Sequence, residues 1–335
     1  MKQKTWWSVA VCGVLLALLG LVPAAQAQEE DTTVVTPPAT AQEKMKQMTV
    51  CTTCHDETEK KPILAFFQHP HGSLGDPRTP VCQTCHGESK KHLDGAQTPD
   101  GVRPPPDRVF GRTRTSTAQY EPASPQVQSE VCLSCHKGSL RMRWPGSQHE
   151  SNDVACTNCH LNHNPVDSVR DRLEQPSVCF TCHKEKRAEF NKISHMPLEN
   201  GKVICSDCHN PHGSPGPKLL VKNTVTETCF TCHADKRGPF LWEHQAATED
   251  CTNCHNPHGS NITPLLKDRP PFLCESCHNG PHNSVTATGS SAGGIQSGGV
   301  AAGGNPSVMV TGRACLNCHV MVHGSNSPAG AFLHR

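Results

Sequence analysis

Cys205-Ser206-Asp207-Cys208-His209-Asn210-Pro211-His212-Gly213-Ser214 packs two thiols and two imidazoles into one short stretch. Its first five residues, Cys-x-x-Cys-His, form the attachment signature of c-type haem. The two thiols add across the porphyrin vinyl groups, and the adjacent imidazole reaches the iron from one face. The second histidine follows only three residues after the first. Fully extended, three residues span about 10 Å, too little chain to pass around a macrocycle and bind the same iron from behind. His212 is therefore expected to serve a neighbouring haem, and a chain that repeats this step specifies a stack of porphyrins.

The step is repeated. Ten attachment motifs occur, at Cys51, Cys54 and His55; Cys82, Cys85 and His86; Cys132, Cys135 and His136; Cys156, Cys159 and His160; Cys179, Cys182 and His183; Cys205, Cys208 and His209; Cys229, Cys232 and His233; Cys251, Cys254 and His255; Cys274, Cys277 and His278; and Cys315, Cys318 and His319. They use every one of the 21 cysteines except Cys12. A single Cys-x-x-Cys reads equally well as half a zinc site or as a redox disulfide. Neither chemistry asks for a histidine after every pair, and no βαβ framework for a thioredoxin-like motif is present.

Twelve of the 22 histidines lie outside the motifs, and they are patterned. His71, His149, His195 and His244 each precede a motif by 7 to 11 residues. His92, His163, His212, His258, His282 and His323 each follow a motif histidine by 3 to 6 residues. Together they supply one distal ligand per haem, leaving His69 and His334 over. Bis-His ligation closes the iron to small molecules and avoids the potential-raising effect of methionine, so Met142, Met196 and Met321 are not needed as ligands. The spacing also repeats as five two-haem units, 51–92, 132–163, 179–212, 229–258 and 274–323. Cys179-Phe-Thr-Cys-His183 is echoed by Cys229-Phe-Thr-Cys-His233, and Asn-Pro-His-Gly-Ser recurs at 210–214 and 256–260. The Pro-rich stretch within 93–131 and the Gly/Ser/Ala-rich stretch 283–312 read as loops; the second has the alternative reading of a partner surface.

Residues 1–27 read as a cleaved export signal: Lys2 and Lys4, an apolar run over 9–22, and Ala25-Gln26-Ala27 before the cut. An uncleaved anchor and a lipid on Cys12 are the alternatives, and the apolar run is short for a spanning helix. Residues 28–50 form an N-terminal segment. Only 35% of residues are hydrophobic and 4% aromatic, with 26 glycines and 28 prolines. That is lean enough to suggest disorder unless ten macrocycles count as core. Each bonded haem also limits the unfolded chain, much as a cross-link does. The expected fold is thus a multihaem cytochrome c: irregular coil and short α-helices wrapped around a linear stack of ten haems, elongated, with almost no sheet.

The formal charge of +1 becomes −1 without Lys2 and Lys4, and haem propionates add roughly −10 when the irons are ferric. Lys184-Glu185-Lys186-Arg187 and Asp235-Lys236-Arg237 read either as partners of propionates or as ordinary solvated faces. No basic domain with interleaved aromatics supports nucleic-acid binding.

Ten motifs at this spacing, Lys236-Arg237-Gly238-Pro239 followed by Leu241-Trp242-Glu243-His244, and the ending Cys315-Leu-Asn-Cys-His319 with Val322-His323-Gly324-Ser325-Asn326 carry a more specific likeness. The chain resembles, over essentially all of 51–335, the periplasmic decahaem cytochromes of outer-membrane porin–cytochrome conduits, the MtrA/DmsE type. The resemblance implies two pentahaem halves, 51–192 and 193–335, and distal ligands at the ten histidines named above. It also implies a periplasmic location at the outer membrane, a β-barrel porin as sheath, an extracellular multihaem cytochrome or terminal reductase, and a periplasmic or inner-membrane cytochrome as exchange partner. Some relatives that oxidise iron phototrophically carry a long N-terminal extension, and the expectation is that this chain stands outside that subgroup.

The function read from all this is electron transfer between periplasm and cell exterior, in metal reduction or iron oxidation, without a substrate site. Ten haems at about 10 Å spacing reach roughly 90 Å, beyond a bilayer of about 40–45 Å. Two rival classes are a freely diffusing periplasmic shuttle and a multihaem reductase with an open iron. The reductase would need a vacant sixth position, and the supply of histidines offers none.

Overall fold

A computed structural model describes residues 40–56, 63–95, 103–112, 120–278, 315–328 and 330–334. All of them belong to one compact unit, Ala39–Arg335. The export signal, most of the N-terminal segment, His282 and the stretch 283–312 lie outside the described residues.

Among the described residues, regular structure consists of short helices and single 3-10 turns, and no strand forms beyond four isolated bridges. The longest helix, Ala41–Thr52, starts at a reciprocal cap: Glu43 N–H donates to Thr40 Oγ1 and Thr40 N–H to Glu43 Oε2. It is anchored from the side by Lys44, only 3% exposed. The Lys44 ammonium donates to Asp76 O (2.6 Å), Thr79 O (3.0 Å) and Thr79 Oγ1 (3.0 Å), so each of its three protons has an acceptor.

Each unit is built the same way. The first motif lies at the C-terminal end of a helix: Ala41–Thr52, Pro125–Leu133, Gln175–Phe180, Val225–Phe230 and Phe272–Glu275. The second lies on a separate turn: Cys82–His86, Cys156–Asn158, Cys205–Cys208, Cys251–Asn253 and Cys315–Asn317. Within the motifs the histidine N–H bonds back to the first cysteine's carbonyl, for example His136 to Cys132 and His209 to Cys205, both at 2.9 Å. One helical turn sets both sulfurs and the imidazole on a common side. The side-chain apolar core is sparse: Met48, Trp144, Ala155, Leu198, Ile204 and Leu266 are the buried hydrophobic residues.

Successive units dock through one recurring contact. The segment before the isolated histidine of one unit lies on the His-Gly-Ser turn of the next. At the first such junction Asn210 Nδ2 donates to Leu140 O at 3.1 Å, and a Cβ on Gly213 (φ +106°) would collide with the Arg143 carbonyl. At the second, Ser194 and Ser260 exchange backbone hydrogen bonds of 2.9 and 2.8 Å, and Gly259 (φ +141°) fits under the Glu189 carbonyl. At the third, Trp242 and Ser325 make the same exchange, at 2.9 and 2.8 Å, and Trp242 Nε1 donates to Ser327 O at 3.1 Å. Only a residue without a Cβ permits this approach, and the positive φ favours glycine as well.

Candidate haem-binding sites

The cysteines fall into a file. First-cysteine thiols are close neighbours within each unit: Cys51 with Cys82, Cys132 with Cys156, Cys179 with Cys205, Cys229 with Cys251, and Cys274 with Cys315. Second cysteines are close electrostatic neighbours between units: Cys85 with Cys135, Cys159 with Cys182, Cys208 with Cys232, and Cys254 with Cys277. Alternating these two contacts links all ten motifs in sequence order. None of the twenty motif cysteines is tied up in a disulfide.

The imidazoles are brought together in pairs. Ring centroids lie 6.0 Å apart for His55 and His92, 5.8 Å for His71 and His136, 6.0 Å for His86 and His163, and 6.1 Å for His149 and His183. The series continues with His160 and His212 at 6.2 Å, His209 and His258 at 6.1 Å, His244 and His278 at 6.0 Å, and His255 and His323 at 6.2 Å. Two imidazole–metal bonds of about 2 Å each, plus the reach from Nε2 to each ring centre, place centroids about 6 Å apart. In the pair that shows the approach directly, His136 Nε2 and His71 Nε2 face each other at 3.5 Å.

The pairing is an exchange between units. The isolated histidine of one unit meets the first-motif histidine of the next, as His71 meets His136, His149 meets His183, and His244 meets His278. In return, the histidine after the second motif meets the second-motif histidine of the unit before: His163 with His86, His212 with His160, His258 with His209, and His323 with His255. At the N-terminal end, where no earlier unit exists, His92 turns back onto His55. Among the described residues His195 and His233 share no such ring contact. His334, left over in the sequence reading, packs at 4.4 Å on His319, too close to straddle a metal in the manner of the others. His69, buried at 6% exposure, stacks on His71 at 5.0 Å and accepts its backbone N–H at 3.3 Å.

In most of the pairs one ring is anchored by the nitrogen that faces away from its partner. Carbonyl oxygens have only lone pairs to offer, so Nδ1–H donates and Nε2 is left with the free pair. His86 donates to Arg108 O (2.9 Å), His92 to Pro104 O (2.7 Å), His149 to Pro211 O (2.8 Å) and His195 to Met196 O (2.9 Å). His209 donates to Lys218 O (2.9 Å), His244 to Val322 O (2.8 Å), His255 to Pro264 O (2.9 Å) and His319 to Phe332 O (2.6 Å). One carboxylate joins the set, Asp167 Oδ2 at 2.6 Å from His160 Nδ1, whereas Glu189 Oε2 lies 3.4 Å from His258 Nδ1 without a hydrogen bond. His212 Nδ1 donates to Asn210 Oδ1 at 3.2 Å. Burial keeps His71, His86, His136, His163, His183, His258 and His323 below the ordinary histidine range and pushes His212 down to about 4, with nearby positive groups adding to it. These rings are neutral near pH 7, the state a metal ligand requires.

This donor set fits haem. It presents two opposed nitrogens per site, and among the described residues no group of three or more His, Cys, Asp or Glu side chains converges as a metal cage. That disposes of the zinc reading there: two axial donors suffice only where a macrocycle supplies the rest. Arg141 Nε and Trp144 Nε1 are buried N–H donors without an acceptor. Both sit beside the His212 ring, which Trp144 approaches at 6.3 Å and Arg141 influences electrostatically. An acidic group such as a propionate would satisfy them. The sequence singled out other cations: Lys186 pairs with Glu189 and Lys236 with Asp235, both at 2.8 Å.

The Pro-rich stretch after the second motif is more than the linker its composition suggests. Pro104 and Arg108 furnish the carbonyls that hold His92 and His86, and Asp107 Oδ2 accepts the Ser89 N–H at 2.8 Å. Extended proline backbone makes no internal hydrogen bonds, so its carbonyls remain free to orient imidazoles.

The sequence is similar to those of known proteins. Residues 195–238 and 244–283 match the family described as the doubled CXXCH motif, and 82–174 match the cytochrome c-type protein NrfB-like family. A multihaem cytochrome MtrA from Shewanella baltica (strain OS185) is 40% identical over 286 residues, covering 85% of this chain and 80% of that protein. The chain belongs to the MtrA family of multihaem c-type cytochromes. As an MtrA-family cytochrome it binds haem covalently through its Cys-x-x-Cys-His motifs and transfers electrons. No described helix is long and apolar enough to cross a membrane.

Proposed function

We propose that this cytochrome carries ten c-type haems, each iron held between two histidines, in a file that conducts electrons between the periplasm and the cell exterior. The reciprocal exchange of histidines supports this reading most directly. A ligand given by each unit to the next, and returned by the next to it, cannot be satisfied by isolated haem sites.

On this reading the distal ligands follow the exchange. His92 serves the motif of His55, His163 that of His86, His71 that of His136, His212 that of His160 and His149 that of His183. His258 serves His209, His323 serves His255 and His244 serves His278. The repeat extends to His195 for His233 and, closing the C-terminal end as His92 closes the other, to His282 for His319. Each bound haem cycles between ferric and ferrous iron with one electron. The chain's residues fix the imidazoles through Nδ1, cover both iron faces, and hold adjacent attachment points together. With no open iron the protein acts as a carrier and not as a reductase.

Its irregular backbone leaves polar groups that cannot face lipid. To cross the outer membrane it needs a closed barrel with a polar lumen, the porin partner that the family likeness suggests. An extracellular multihaem cytochrome or terminal reductase would lie at one end and a periplasmic or inner-membrane cytochrome at the other. The test is expression with its signal in a host that matures c-type cytochromes. Ten haems per chain, low-spin ferric spectra, no carbon monoxide binding on reduction and co-purification with an outer-membrane barrel are expected. Fewer haems or stoichiometric carbon monoxide binding would overturn the wire. A wholly soluble monomer in cells that carry the barrel would favour a periplasmic shuttle.

A further inference from the structure

Five histidines belong to second motifs, and four of them rest on neutral backbone carbonyls: His86 on Arg108, His209 on Lys218, His255 on Pro264 and His319 on Phe332. His160 rests on a carboxylate. Asp167 Oδ2 lies 2.6 Å from its Nδ1, and Asp167 Oδ1 accepts the Leu161 N–H at 3.3 Å. Asp167 is 8% exposed, and among the described residues no Lys or Arg forms an ion pair with it. The other carboxylate near a paired histidine, Glu189, is more distant from His258 at 3.4 Å and is itself paired with Lys186 at 2.8 Å.

A buried, unneutralised carboxylate on the far nitrogen of an axial imidazole does two things. It strengthens the imidazole as a donor, and it places a negative charge where solvent screens little. Both favour the more positive ferric iron over the ferrous. A backbone carbonyl orients the ring equally well but brings no net charge.

We propose that Asp167 is a positioning residue that sets the haem of Cys156, Cys159 and His160 at a lower potential than the other four second-motif haems, creating a low step within the file. This rests on the bis-His reading above. On reduction one electron enters the iron from a neighbouring haem, or from the mediator in a titration. The proton stays on His160 Nδ1, Asp167 keeps its charge, and no bond is made or broken.

The experiment is an optical redox titration of the ten-haem protein and its Asp167→Asn and Asp167→Glu variants at one pH, with electron paramagnetic resonance on the same samples. Asn keeps an acceptor oxygen and loses the charge. In Asp167→Asn one haem's share of the absorbance change should move to higher potential by at least tenfold in its reduction equilibrium, about 59 mV for one electron. The other nine should overlay the wild type, and Asp167→Glu should restore the low step. Coincident Asn and wild-type titrations would overturn the proposal. Should Asp167→Asn lose a haem, the wild type decides: one ferric low-spin signal with a narrowed g-spread must outlast at least four others on reduction, and its absence or earlier loss overturns the proposal. Failure of the bis-His reading is distinguishable, because it shows as high-spin ferric signals in the wild type before any variant is made.

Discussion

Segment 156–170 and its two successors, 205–220 and 251–266, solve the same problem differently. In the successors the chain after the motif runs through Asn-Pro-His-Gly-Ser and returns over the motif. Asn210 N–H bonds to Leu219 O and Asn256 N–H to Leu265 O, both at 2.7 Å, while Val221 and Lys267 return to Cys208 and Cys254, both at 2.9 Å. That return delivers a backbone carbonyl to His209 or His255. After Cys156 the sequence is His160-Leu-Asn-His163-Asn-Pro-Val-Asp167: no glycine follows the distal histidine, and a side chain reaches the imidazole where backbone does elsewhere. The two kinds of loop place the imidazole alike and differ in what meets its far nitrogen: a neutral carbonyl in the successors, a carboxylate after Cys156.

Stripping the distal ligand from each type of site should have the largest effect. His212→Ala should expose one iron, at the Asp167-anchored site, and His258→Ala one iron at the carbonyl-anchored site of His209. Each reduced variant should bind one carbon monoxide per chain where the parent binds none. Resonance Raman should give a higher iron–histidine stretching frequency in His212→Ala than in His258→Ala. Equal frequencies would erase the distinction between the two anchors.

The docking glycines come next. Gly213→Ala and Gly259→Ala must push a Cβ into a neighbouring carbonyl, and overpacking of this kind costs about 1–3 kcal/mol. Asn164→Ala, at the equivalent place after His163, and Gly138→Ala, whose Cβ would meet nothing within 4 Å, should stay within about 0.5 kcal/mol. Thermal unfolding followed at the haem band would measure both groups. A loss at Asn164 equal to that at Gly213 would mean that the junctions are alike after all.

A small effect belongs to Arg172, which donates from Nη2 to Asp207 Oδ2 at 2.9 Å on the flank of the 205 motif. Hydrogen bonding to Arg172 holds the Asp207 carboxyl below its ordinary range. A depressed carboxyl contributes stability above its unfolded pKa, about 3.9, and loses it as pH falls through the folded value. The exposed pair is worth roughly 0–1 kcal/mol. The Tm difference between parent and Arg172→Ala should be visible at neutral pH and shrink in acid. The 156 motif has no such flanking pair among the described residues, so the effect should be confined to the later unit.

Much of this was legible in the chain because covalent attachment leaves a rigid local signature. Cys-x-x-Cys-His cannot be spread out, so the motifs, the five units and the short steps such as His209 to His212 are all written in spacing. The lean apolar content foretold coil and short helices, and such a fold is found. What spacing could not give was the partner across each pair, because the exchange joins residues far apart in sequence, as His71 and His136 are. Asp167 was missed for a different reason. An aspartate after Asn-Pro-Val looks like an ordinary turn residue, and only the absent glycine at 164 marked that loop as unlike its repeats. Lys44 was equally silent, since a lysine on a short helix normally reads as solvated.

The most direct test of the exchanged-ligand file is an anomalous-scattering map of iron in crystals of the mature protein. Ten iron peaks in motif order are expected, with one between His160 and His212 and the next but one between His209 and His258. An iron held by His209 and His212 together, or peaks lacking a second histidine, would contradict it.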